Sequence, residues 1–389
     1  MGKSTKKKIA IIASHPMTIR VFLYKQIEAL SKVYSVDIIT NIDTETELPH
    51  FDDQVNIIHL RIKRNIDPLA DISAFVKLTI LLKKNHYSLV HSITPKAGLL
   101  TMVSARIIGI KHRLHTFTGQ VWITQQGPMR SLLRFMDKLI ARFATNILVD
   151  SMSQRQFLIK NGILDSRSSM VLANGSISGV DLKRFHSNAA QHSRIREQLK
   201  LDENTIVLLF LGRLKRDKGV VELVEAYIKV RSVLPNIALL LVGPDEEQLG
   251  ELLGKMLASA IDLVRFIPFT NEPEHYMMAA DIFCLPSYRE GFGSVIIEAA
   301  ACGVPAIGSR IYGVTDAIID GVTGLLVDTN DISALEQAIV KLATNDELRR
   351  QQGEASKKRA QNCFSQERLT KALLDMYHNI LRESAEELM

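Results

Sequence analysis

Two loops in the C-terminal half of this chain carry side chains suited to holding an anion and a sugar. The first, Gly212-Arg213-Leu214-Lys215-Arg216-Asp217-Lys218-Gly219, follows an apolar run at 207–211 and opens a stretch with Val221, Val224 and Ile228 at helical spacing. So placed, Arg213 and Lys218 project from the C-terminal edge of a parallel sheet, the edge at which doubly wound folds bind their ligands. Arg offers a planar fork to phosphate, Lys a point charge, and the helix N-terminus adds backbone N–H groups. A solvated basic turn is the competing reading, because Lys215 and Arg216 make the whole loop basic.

The second loop, Pro286-Ser287-Tyr288-Arg289-Glu290-Gly291-Phe292-Gly293-Ser294, lies between an apolar run at 282–285 and an apolar stretch closed by Gly303. Ser294 reads as the N-cap and Gly303 as the C′ glycine of a buried helix. The one charged residue of that helix, Glu298, follows Ser294 by one turn, shares its face and points toward the loop. A buried carboxylate is costly without hydrogen bonds. Two ribose hydroxyls would supply them, and so would a backbone N–H or an Arg. Beside Glu290, Gly291-Phe292-Gly293 allows the backbone to approach a ligand closely. The dinucleotide fingerprint is not completed, because Ile296 stands at its third glycine and the loop comes late in its domain.

The elements that must position these loops follow from hydropathy. Apolar runs at 9–13, 36–40, 55–59, 89–92, 113–117, 147–149 and 169–172, then at 206–211, 238–242, 263–266, 282–285, 305–307 and 324–327, alternate with amphipathic stretches of helical length. The pattern predicts two doubly wound α/β domains, each a parallel sheet covered on both faces. Glycine, serine and asparagine interrupt it at 174–181, so the domains are expected at 1–180 and 181–364. A last helix is expected at 365–389, capped by Ser365 and striped with Leu369, Leu373, Met376, Tyr377 and Ile380.

Composition agrees with two cores: 389 residues, 46% hydrophobic and 23% charged, exclude a disordered or fibrous chain. No apolar run approaches the ~18 residues of a membrane span. Residues 1–8 run into only a short apolar segment, which predicts no secretory leader. Cys284, Cys302 and Cys363 are odd in number and lack metal-ligand spacing, which predicts a reducing, cytoplasmic compartment. Residues 1–180 hold 24 Lys and Arg against 12 Asp and Glu, a balance of +12, and the remainder balances at −6. The basic half predicts an anionic partner: nucleic acid, a membrane surface or a phosphorylated small molecule.

Gly212-Arg213-Leu214 with Lys218-Gly219, followed by Glu290-Gly291-Phe292-Gly293 with Glu298, closely resembles the retaining glycosyltransferases of family 4. Their GT-B fold consists of two Rossmann-like domains facing a cleft. The segment 174–185 is similar to that family's Asn-Gly-Val-Asp linker, lengthened by Ser176-Ile177-Ser178-Gly179. The resemblance implies transfer of a sugar from a nucleotide-sugar donor, UDP-linked with an N-acetylhexosamine preferred, to a glycan or polyprenyl-diphosphate-linked acceptor in bacterial surface polysaccharide synthesis. It makes Glu290, Arg213 and Lys218 the catalytic set. Arg213 and Lys218 would hold the diphosphate and Glu290 the donor-sugar hydroxyls. Glu298 would bind the ribose, and Gly212, Gly291, Phe292, Gly293 and Ser294 would line the donor pocket. No cofactor is implied, since the nucleotide-sugar is a substrate, and without an Asp-x-Asp triplet no metal clamp is indicated. The domain 181–364 would bind the donor and 1–180 the acceptor, with the last helix crossing back to the first domain.

In the first half the chain departs from the family. In His115-Thr116-Phe117-Thr118-Gly119-Gln120, Thr118 stands where many members carry a histidine, so acceptor contacts fall to Thr118, Gln120 or His115. His15 lies in a first loop that lacks the paired glycines of relatives. Lys96 opens a helix and is either an acceptor-phosphate ligand or solvated. Arg130, Arg134, Lys138 and Arg142 recur every four residues beside Leu132, Leu133, Phe135 and Met136, forming a basic amphipathic helix. That helix contacts an anionic membrane, which would place the protein peripherally at the inner face of the cell membrane, or it simply turns its basic side to water. Nucleic acid is not among the partners the resemblance implies. Two rivals stand: a sugar-nucleotide epimerase of the same fold, separable by product analysis, and a non-catalytic anion- or membrane-binding protein, which leaves Glu298 unexplained.

Overall fold

Strands made of uninterrupted Ile, Val and Leu bury both faces, and that is the state of most strands in the computed structural model of this chain. It describes residues 6–42, 48–63, 66–258 and 260–386. Met1–Thr5, part of the segment behind the expected lack of a leader, lie outside the described residues.

Two units result, one of residues 1–178 together with 366–389, the other of residues 179–365. The first contains β1 (Lys8–Ala13), β2 (Ser35–Thr40), β3 (Val55–His59), β4 (Leu89–Ile93), β5 (His112–Phe117), β6 (Asn146–Val149) and β7 (Ser169–Met170). Their order in the sheet is β3-β2-β1-β4-β5-β6-β7, all parallel. Strand alternation sends Ile9, Ile11 and Ala13 of β1 into one apolar cluster and Ala10 and Ile12 into another, so the sheet has a core on each face. Helices Pro68–Asn85, Pro95–Ile107 and Gly127–Phe143 pack side by side over one face. Over the other, Tyr24–Ser31 packs with the C-terminal helix Gln366–Glu386, whose Leu369, Leu373, Met376, Tyr377, Ile380 and Leu381 are buried.

The second unit contains β8 (Ile206–Leu211), β9 (Ile237–Val242), β10 (Val264–Ile267), β11 (Ile282–Leu285), β12 (Ala306–Ser309) and β13 (Gly324–Val327), parallel in the order β10-β9-β8-β11-β12-β13. In both sheets the first strand of the unit has a later pair of neighbours on each side. The strand order therefore reverses beside β1 and β4 in one sheet and beside β8 and β11 in the other. Chains leave such paired strands in opposite directions and open a crevice at their C-terminal ends.

Candidate functional site

The loops singled out by sequence leave β8 and β11, the two strands flanking the reversal in the second unit. They are locked together. Lys218 Nζ donates to Glu290 Oε1 at 2.6 Å, and Ser287 Oγ donates to the same oxygen at 2.9 Å. One residue back in each loop, Arg289 donates to Asp217 Oδ2 at 2.9 Å, and the Tyr288 N–H donates to the Asp217 carbonyl at 3.0 Å. Gly219, at φ +70°, closes the approach: a Cβ there would lie 2.0 Å from the Pro286 carbonyl oxygen. Gly313 does the same from the loop after β12, where a Cβ would meet the Gly291 carbonyl oxygen at 2.5 Å. Side chains at either glycine would push the loops apart.

Electrostatics divide these groups. Burial alone would raise the Asp217 carboxyl, but the Arg289 hydrogen bond and charge, with Lys218 and Lys215 nearby, hold it below the usual range. Both members of the Lys218–Glu290 pair are largely buried, so removing either one strands a charge. Arg213 is more open and pairs with Glu246 at 3.0 Å. Tyr288 reaches over to donate to Glu222 at 2.6 Å.

Glu298 lies in the helix Ser294–Ala301. Ser294 is not its N-cap: Gly293 is, at φ +80° and ψ 53°, and Ser294 is the first helical residue. The chain must turn sharply out of Gly291-Phe292-Gly293, and the left-handed backbone that makes the turn suits glycine. Gly303 at φ +84° follows the helix end as expected. No described group donates a hydrogen bond to the Glu298 carboxylate. Burial pushes its carboxyl up to about 8; the Arg184 guanidinium opposes the rise and the Glu274 carboxylate adds to it. Arg184 and Glu274 themselves pair at 2.6 Å.

That shift has a measurable sign. The folded chain keeps the Glu298 proton up to about pH 8, whereas the unfolded chain releases it near 4.5. The resulting stability is complete below the unfolded value and is lost as pH rises through about 8. Glu298→Gln keeps the shape without the titration, so its melting temperature relative to the parent should climb between about pH 5 and about pH 9. Calorimetry at the two pH values reads the difference, and a constant offset would mean the carboxyl ionises normally.

In the first unit the loops after β1 and β4 meet: Ser14 Oγ and Thr94 Oγ1 lie 2.9 Å apart. Thr94 holds φ +75°, a conformation that costs a threonine on the order of 1–3 kcal/mol and that clusters at functional sites. His15 caps the helix that begins at Pro16, its Nδ1 accepting from the Met17 N–H at 3.1 Å. Three expected acceptor residues are otherwise engaged. Lys96 donates to both carboxylate oxygens of Asp71, at 2.8 and 2.9 Å. His115 is a core residue, its Nδ1 2.8 Å from Ser92 Oγ and its ring edge-on to Phe117. Burial, with His91 adding, holds its pKa down at about 3, so it stays neutral. Gln120 is buried, and its amide and that of Gln154 both donate to the Thr118 carbonyl. Thr118 itself remains half-buried at the strand end.

The basic helix Gly127–Phe143 is not a uniform four-cation stripe. Arg134 turns inward, donating to the Asn161 carbonyl at 2.9 Å, and both it and the more exposed Arg130 lie over the Trp122 ring, whereas Lys138 and Arg142 are exposed. The buried Trp122 N–H donates to Asp137 on this helix at 2.8 Å, which draws the arginine side toward the core.

Residues missed in the sequence are Asp217, Arg289, Tyr288, Glu222, Arg184 and Glu274. One signal was available for the first two: Asp217-Lys218 and Arg289-Glu290 are adjacent pairs of complementary charge, which dock in register.

Residues 8–151 match the profile of a family described as glycosyl transferase 4-like, and residues 191–359 that of glycosyl transferases group 1. A capsular polysaccharide biosynthesis glycosyltransferase, CapM of Staphylococcus aureus, is 30% identical over 341 residues, covering 87% of this chain and 88% of that one. An Escherichia coli UDP-Gal:alpha-D-GlcNAc-diphosphoundecaprenol alpha-1,3-galactosyltransferase is 26% identical over 81% of each chain. Among solved structures, sucrose-phosphate synthase from Thermosynechococcus elongatus superposes with a TM-score of 0.82 at 24% identity, covering 97% of this chain and all of that one.

Proposed function

The chain belongs to the family-4-like glycosyltransferases with the GT-B fold, and from that membership we propose that it transfers a sugar, with retention, from a UDP-linked donor to a lipid-linked glycan in surface polysaccharide synthesis. The observation that carries the donor assignment is the Lys218–Glu290 pair at the sheet reversal of the second unit. A donor diphosphate brings a stronger anion to Lys218 than Glu290 is. Lys218 then turns to the phosphate, joined by Arg213, and Glu290 is released to accept hydrogen bonds from the donor-sugar hydroxyls. The carboxylate thus keeps Lys218 in place before the donor arrives and orients the sugar afterwards. Glu298 accepts from the ribose hydroxyls.

In the step itself, the bond from the anomeric carbon to the diphosphate oxygen breaks, and a bond to the acceptor oxygen forms on the same face. The acceptor proton passes to the departing phosphate oxygen. Charge grows on the diphosphate as the bond breaks, so cations already aimed there lower the barrier more than they tighten ground-state binding. UDP as the nucleotide, and a diphosphate-lipid acceptor, are supported by the Escherichia coli relative whose name states both.

An α-linked UDP-sugar should give an α-linked product. NMR of the anomeric proton in the product tests this, and a β-linkage from that donor would exclude retention. UDP-sugar altered without any acceptor would instead identify an epimerase. No described helix is long and apolar enough to cross a membrane, so access to a lipid-linked acceptor is proposed to come from peripheral contact through the basic first unit.

A further inference from the structure

A helix that covers a sheet is normally apolar toward the sheet and polar toward water. The helix Pro68–Asn85 is apolar on both sides. Ala74, Leu78 and Leu82 are buried against the core, while outward Leu69 is 82% exposed, Ile72 61%, Val76 48% and Ile80 62%. Steps of three and four residues put these four in one stripe, about 16 Å long at 1.5 Å per residue. Lys77, Lys83 and Lys84 are exposed along the same helix. Its acidic residues are already engaged, Asp67 with Lys63 and Asp71 with Lys96. Two helices away in the same layer, Gly127–Phe143 exposes Met129, Leu132 and Phe135 beside Lys138 and Arg142. A contiguous apolar stripe of this kind marks an interaction surface.

We infer that the outward face of Pro68–Asn85 lies in an anionic lipid surface, the aliphatic stripe at the headgroup boundary and the lysines against the phosphates. The inference rests on the reading that the acceptor is lipid-linked, and it names the surface that meets that lipid. Charge decides between lipid and a second copy of the chain. A two-fold contact through this face would oppose lysines to lysines, whereas anionic headgroups pair with them and interfacial helices combine these same two ingredients. Position gives the contact a use. The helix begins beside the Lys96–Asp71 pair, at the edge where β1 and β4 end. A bilayer along it therefore runs past the edge expected to receive the acceptor, and a lipid-borne glycan can arrive without leaving the membrane.

The test uses the full chain with Leu69→Ser, Ile72→Ser and Ile80→Ser combined, all exposed positions that the core does not need. Co-sedimentation is measured with phosphatidylcholine vesicles containing about a third phosphatidylglycerol. Binding should fall at least about thirtyfold, because most of the buried apolar area is removed. Turnover of a short soluble acceptor should match the parent, and the KM for a lipid-linked acceptor in those vesicles should rise. A variant that sediments like the parent overturns the proposal. So does a parent dimer, seen by analytical ultracentrifugation, that the variant dissolves. Lys77→Gln, Lys83→Gln and Lys84→Gln together should weaken binding to the anionic vesicles and leave binding to pure phosphatidylcholine unchanged; equal loss on both also overturns it. If the parent turns over no acceptor of any kind yet the vesicle results hold, the lipid contact stands and the transferase reading fails.

Discussion

Lys218→Ala slows sugar transfer by at least about a hundredfold, the usual scale for losing one stabiliser of transition-state charge. Arg213→Ala is expected on the same scale. The complication is that Lys218 and Glu290 are largely buried together, so the single substitution also strands a carboxylate and destabilises the second unit. The double variant Lys218→Ala with Glu290→Gln separates the two effects. It removes the stranded charge, so its urea midpoint should return toward that of the parent, while its turnover stays low. Stability and activity recovering together would show that the pair is structural. Near-parental turnover in the Lys218 variants would remove the phosphate assignment.

Tyr377→Ala should cost about 3–5 kcal/mol, as for other large aromatic truncations in a core. The ring is fully buried in the cluster on the β1 face, and its hydroxyl lies 2.7 Å from His91 Nδ1. The other His91 nitrogen is 2.8 Å from Thr116 Oγ1, so the truncation leaves a neutral, buried imidazole half-satisfied. Burial holds that imidazole at a pKa of about 3 and closes the route of protonation. Tyr377→Phe keeps the volume and should cost only about 1 kcal/mol, the usual value of one hydrogen bond. Urea titration of both variants measures this. A cost below about 1 kcal/mol for the alanine variant would mean that the C-terminal helix is not part of the first unit's core.

The strands were legible because parallel sheets buried on both faces demand continuous apolar runs, and every strand falls within two residues of its run. The same burial misleads at His115. In the segment leading to Gly119 a histidine reads as an acceptor ligand, yet His115 lies inside β5, both faces of this sheet are covered, and the ring goes into the core with Ser92. At Lys96 the unread feature is the partner: Asp71 sits on a different helix, and nothing in local spacing announces a contact across 25 residues. Arg289 and Asp217 are 72 residues apart, and only the docking of two loops at a sheet reversal joins them. On Pro68–Asn85 the sequence shows apolar residues all round, but which side faces the sheet is a tertiary fact.

The second unit is contiguous in the chain, and its two ends lie side by side: the Val180 N–H donates to the Phe364 carbonyl at 2.8 Å, and Val180 and Ser365 form a bridge. It is thus an insertion into the first unit, whose helix Gln366–Glu386 is made after it. At about 5–20 residues per second, the ribosome holds β1–β7 with one face only partly covered, by Tyr24–Ser31, for on the order of ten seconds or more while residues 179–386 emerge. The later-made unit can finish first, and the earlier-made one waits with His91 lacking its partner until Tyr377 arrives. A nascent chain that has passed residue 365 but not 386 thus holds a second unit ready to fold and a first-unit sheet still short of a helix, so in this topology completion of the first core waits on Gln366–Glu386.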